Sequence, residues 1–75
     1  MRTHKDYGHL MAGHIGWKIY FKNEELRLVY GKKVFTVDKK DRKLVIDYVN
    51  LNYQSMNDKD RIRKDFTDYL KGLLA

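Results

Sequence analysis

From Trp17 to Lys22 apolar and polar residues alternate, with Trp17, Ile19 and Phe21 interleaved by Lys18, Tyr20 and Lys22. Leu26, Leu28 and Tyr30 repeat the pattern around Arg27 and Val29. A period of two is the mark of a strand with one buried face. Three polar breaks follow one another, at 22–25, 30–33 and 39–42. Each fits a two-residue hairpin loop, and Gly31 suits the first central position of a type II′ turn.

The registers of these hairpins check one another. Closing the first loop at Asn23-Glu24 sets Phe21 opposite Leu26, Ile19 opposite Leu28 and Trp17 opposite Tyr30. Closing the second at Gly31-Lys32 sets Leu28 opposite Phe35 and Leu26 opposite Val37, and a third at Lys40-Asp41 sets Val37 opposite Leu44, Phe35 opposite Ile46 and Lys33 opposite Tyr48. Opposite residues share a face, so one apolar face results, and a one-residue slip would scramble it. The spacing predicts an antiparallel meander with strands near 15–22, 25–30, 34–39 and 43–50. The last stretch has a second reading: Leu44, Val45, Tyr48, Val49 and Leu51 also fit a helix capped by Asp41. Its β-branched residues and the turn register favour strand.

The period then changes. Ile62, Phe66, Tyr69, Leu70 and Leu73 recur at three and four, which predicts a helix near 57–74 with one apolar stripe. Ser55 or Asn57 would cap it, Asp58 and Asp60 suit its positive end, and Lys71 its negative end. The apolar sheet face is the expected seat of that stripe. The fold class is therefore α+β: a four-stranded antiparallel meander with one C-terminal helix across one face. Residues 1–14 are expected to form a flexible or partly ordered leader to a single small domain over 15–75.

The other sheet face would hold Lys18, Lys22 and Arg27 around Tyr20 on the first two strands. Cations interleaved with an aromatic on a sheet can follow phosphates and stack on an unpaired base. A solvated face with Lys22 paired to Glu25 is the plainer alternative. Val34, Val45 and Val49, with Val29 beside them, would make a patch too apolar for solvent, to be covered by Leu10, Met11 and Ile15 or by a second copy in a homodimer.

Charge sharpens this picture. The net charge is +6 over 75 residues. Through Lys43, Lys and Arg outnumber Asp and Glu by 11 to 5, and from Leu44 onward they balance at 5 each. The excess gathers at Lys32-Lys33 and at Lys39-Lys40-Asp41-Arg42-Lys43. A one-sided basic surface meets an anion, most commonly nucleic acid. There is no cysteine, so neither a disulfide nor a thiolate site is available. No apolar run approaches a membrane span, and the N-terminus leads into no apolar stretch with a cleavage pattern, so a cytoplasmic protein is expected.

Catalytic chemistry finds little support. His4, His9 and His14 recur at intervals of five, which neither helix nor strand brings to one face, so no metal site is expected. Gly8, Gly13 and Gly16 match no phosphate-binding motif. Ser55 is the single serine and reads as a cap. Asp58, Asp60, Asp65 and Asp68 alternate with Arg61, Arg63 and Lys64, as i,i+4 pairs do on a solvated helix.

Four antiparallel strands followed by one helix in a small basic chain resembles, in architecture over residues 15–75, the repeat unit of PUR-type single-strand-binding proteins. Small chromatin proteins with an SH3-like barrel and a C-terminal helix are a more distant likeness. No motif matches residue by residue, and architecture does not fix function. The expectation is a non-enzymatic nucleic-acid-binding module without cofactor or metal, favouring single strands, with Lys18, Tyr20, Lys22, Arg27, Lys32, Lys33, Lys39, Lys40, Arg42 and Lys43 as the contact set. The alternative is a protein-interaction module, of the inhibitor or adaptor kind that phages and mobile elements encode, meeting an acidic protein surface.

Overall fold

Alternation and turn chemistry build the first half of the molecule. A computed structural model describes residues 3–52 and 58–75. They fall into two compact units, 1–38 and 39–75. The first is a sheet of five strands: β1 (Thr3–His4), β2 (Gly8–His14), β3 (Trp17–Lys22), β4 (Glu25–Tyr30) and β5 (Lys33–Thr36). Neighbours in the sheet are neighbours in the chain, and every pairing is antiparallel. The second holds two helices, α1 (Lys39–Val49) and α2 (Lys59–Leu74), so the class is α+β.

The first two hairpins close at the expected residues. Phe21 lies opposite Leu26, Ile19 opposite Leu28, and Trp17 opposite Tyr30. Leu28 lies opposite Phe35, and Val37 N–H donates to the Leu26 carbonyl at 2.9 Å, which extends the pairing past β5. Asn23 and Glu24 both have positive φ, 52° and 64°, the signature of a type I′ loop. At the next loop only Gly31 does, at 61°, which is the φ pattern of a type II′ turn. Trp17, Ile19, Leu26 and Leu28 are buried, and the Trp17 ring stacks on Tyr30 at 4.9 Å between centroids.

Two expectations are corrected. The expected leader carries β1 and β2, which add to the meander on its N-terminal side. A bulge hides β2 from a period-two reading: Leu10 pairs with Tyr20 and Ala12 with Ile19, so residues two apart face opposite ways. The hairpin to β3 is tight, and Gly8 is required where it packs. Gly8 has φ +97°, and a Cβ there would collide with the Phe21 carbonyl oxygen.

The expected strand over 43–50 is helix α1, the second reading of that stretch. Its pairings of Leu44, Ile46 and Tyr48 with the sheet therefore do not exist. The two readings assign opposite fates to two residues. A strand buries Ile46 and exposes Val45, whereas in the structure Val45 is fully buried and Ile46 is exposed. Helix propensity costs a β-branched residue only a few tenths of a kcal/mol, less than burial of one valine gains. The four-strand-then-helix order that carried the resemblance to PUR-type proteins is thus replaced by five strands and two helices.

Within the second unit, Tyr48 of α1 stacks on Phe66 of α2 with centroids 4.3 Å apart. Burial raises the Tyr48 hydroxyl above its ordinary pKa, with Arg63 acting in the opposite sense. Ile62, Phe66 and Leu70 are buried and Tyr69 and Leu73 half-buried, the predicted stripe. Asp58 precedes α2 without a side-chain capping bond. The proposed caps Ser55 and Asn57 lie outside the described residues.

Candidate functional site

Strand alternation carries Lys18, Tyr20 and Lys22 of β3 to one face, and pairing sets Val29 opposite Lys18, Arg27 opposite Tyr20, and Glu25 opposite Lys22. The four predicted residues do not behave alike. Lys18 is exposed. Lys22 is half-buried and donates its Nζ to the Asp6 carbonyl at 3.4 Å. Arg27 donates to the Lys22 carbonyl at 3.2 Å and pairs with Glu25 at 3.0 Å. Lys22 therefore does not pair with Glu25, as the solvated alternative supposed.

Tyr20 is buried, 7% exposed, so its ring is not open to a base. Two residues of the expected leader stand over it. The Tyr7 ring lies 5.4 Å and the His4 ring 5.9 Å from that of Tyr20. His4 and Tyr7 stack at 4.2 Å with 18° between planes. The β1–β2 turn fixes this pair, because Asp6 N–H and Tyr7 N–H both donate to His4 Nδ1, at 3.0 and 3.3 Å. An acceptor Nδ1 places the imidazole proton on Nε2. Sequence reasoning missed both rings. The available signal was Asp6 and Gly8, turn residues between His4 and His9.

His4, Tyr7, Lys18, Tyr20, Val29 and Gly31 line a groove of ≈ 290 Å³. Tyr20 and Val29 are buried, whereas His4 and Lys18 are exposed. No carboxylate is among the lining residues.

The remaining predicted cations divide by unit. Lys32 and Lys33 are exposed at the β4–β5 turn. Lys39, Lys40, Arg42 and Lys43 occupy the first five residues of α1, not a hairpin loop. Cations at a helix N-terminus work against the macrodipole, and Asp41 is the acid of that turn. Lys43 pairs with Asp47 at 2.7 Å.

Ion pairing engages three of the five cations of α2, and Lys59 and Lys71 make no ion pair with any described residue. On α2, Arg61 pairs with Asp58 and Asp65, Arg63 with Asp60, and Lys64 with Asp68. The Lys64–Asp68 hydrogen bond raises the lysine pKa and lowers that of the carboxyl. Lys18, Lys32, Lys33, Lys39 and Lys40 also make no ion pair with any described residue.

The valine patch does not form. Val29 and Val45 are buried, Val45 and Val49 lie on α1, and Val34 alone of the four is exposed. Among the described residues no group of three or more His, Asp or Glu could hold a metal ion. Nor is any helix among them long and apolar enough to cross a membrane. Comparison with protein-family models, curated proteins and solved structures finds no match to this chain.

Proposed function

We propose that this chain is a small non-enzymatic nucleic-acid-binding module. Its phosphate contacts are Lys18, Lys32 and Lys33 of the sheet unit and Lys39, Lys40, Arg42 and Lys43 of α1. Lys22 and Arg27, engaged with Asp6 and Glu25, lie on the same sheet face as Lys18. The observation that carries the reading is the run of lysines at 18–40 that make no ion pair. Three of the five cations of α2 pair with carboxylates at 58–68, whereas Lys18, Lys32, Lys33, Lys39 and Lys40 have no carboxylate partner among the described residues. Lysines without a carboxylate partner keep their charge available to a polyanion, whose binding releases its counterions.

A second reading is a protein-interaction module that meets an acidic surface. It draws on the apolar groups the sheet unit exposes, Met11, Ile15, Tyr30 and Val34, of which Ile15 is the most exposed at 72%. A homodimer would use the same groups, since the valine cluster first suggested for it is dispersed.

Fluorescence anisotropy of labelled single- and double-stranded oligonucleotides, at low and high salt, tests the first reading. Binding at low salt that weakens log-linearly with salt is the expected result. Failure of both oligonucleotides to bind at low salt leaves the protein-partner reading in its place.

A further inference from the structure

We propose that the groove over Tyr20 and Val29 seats one unpaired nucleotide, with its base against the Tyr7 and His4 rings and its phosphate at Lys18. This inference rests on the nucleic-acid reading and adds to it a site that distinguishes unpaired from paired bases.

Three features select that ligand. The first is size. At ≈ 290 Å³ the groove lies at the lower limit of small-molecule pockets, room for one planar heterocycle and its sugar. The second is its lining. Aromatic rings favour a flat π-system or a cation, and the Lys18 ammonium on the same rim disfavours a cation. With no carboxylate in the lining, the match is an aromatic group joined to an anion. A nucleotide joins the two through a single sugar.

The third is preorganisation. The rings stack on one another at 4.2 Å, and two backbone N–H bonds to His4 Nδ1 hold the turn beneath them. Groups already ordered lose little entropy when a ligand arrives. A base inside a duplex has both faces covered by its neighbours and cannot enter, whereas an unpaired base offers a free face. Tyr20, the ring that strand alternation singled out, then forms the floor, and the residues that meet the base come from the turn beside it.

The test has two parts. In wild-type protein, ring-proton NMR is recorded with thymidine 5′-monophosphate and, separately, with inorganic phosphate. The nucleotide should shift the Tyr7 and His4 ring resonances, and phosphate should leave them in place. Equal effects of the two would overturn the proposal. The second part compares Tyr7→Ala with wild type on oligothymidylate and on duplex, after amide spectra confirm that β2–β5 are intact. Loss of roughly tenfold to a hundredfold for the single strand, with duplex binding unchanged, is expected from removing one stacking partner. Wild-type binding of oligothymidylate that Tyr7→Ala leaves unaltered sinks the groove alone, and absence of any oligonucleotide binding by wild type sinks the nucleic-acid reading with it.

Discussion

His4 and Tyr7 are joined twice: their rings stack at 4.2 Å, and Tyr7 N–H donates to His4 Nδ1 at 3.3 Å. The stack needs a flat ring, but the turn needs an acceptor nitrogen. His4→Phe separates the two, keeping the ring and removing the acceptor from both Asp6 N–H and Tyr7 N–H. The expected result is faster amide exchange at Asp6 and Tyr7 and a stability loss of about 1 kcal/mol or less, because these bonds are exposed. Unchanged exchange at both amides would show that Nδ1 does not hold the turn.

The β2–β3 loop is strained by its first residue. Ile15 has φ 48° and is 72% exposed. A left-handed backbone costs an L-residue on the order of 1–2 kcal/mol, and a type I′ loop prefers Asn-Gly. Ile15→Asn creates that dipeptide with Gly16 and should raise stability by about 1 kcal/mol in urea denaturation. A loss instead would mean that the exposed side chain stabilises the fold by contacts of its own.

Phe66 is fully buried and stacks on Tyr48. Phe66→Ala should cost about 3–5 kcal/mol, the range for deleting a buried aromatic side chain. In a domain this small that approaches the whole stability, so the readout is loss of the cooperative thermal transition. A variant melting near wild type would contradict the burial.

Burial holds the Tyr48 hydroxyl pKa above its ordinary value. The unfolded chain loses that proton near pH 10, before the folded one does. Stability from this group is therefore intact below about pH 10 and falls as pH rises through the folded pKa. Tyr48→Phe should flatten this alkaline decline in denaturation midpoints measured across pH, and a decline as steep as wild type would place its cause elsewhere.

The legible parts of the fold are those where local pattern and partner agree. β3, β4 and β5 could be registered from Trp17 to Phe35 because each turn kept the same residues on one face. The α2 stripe was legible because Ile62, Phe66 and Leu70 are separated by four and share one side. β2 was not, since the bulge between Leu10 and Ala12 breaks the alternation that marks a strand. α1 was misassigned because three β-branched residues outweighed a helical period whose decisive member, Val45, is interior. At the site, the sequence located the cations but not their partners. The Arg27–Glu25 pair and the Lys22–Asp6 bond depend on backbone pairing, and the burial of Tyr20 depends on a turn read as leader.

The central claim is that the unpaired lysines at 18–40 contact phosphates, and the salt dependence of binding to a short single strand tests it most directly. Each phosphate contact on a single strand contributes about 0.7 to the slope of log K against log salt. Replacing Lys32 and Lys33 together by Ala should flatten that slope by about 1.4 and weaken binding to a similar degree for all sequences. A slope unchanged by the double substitution, or no binding by wild type even at low salt, would contradict the account.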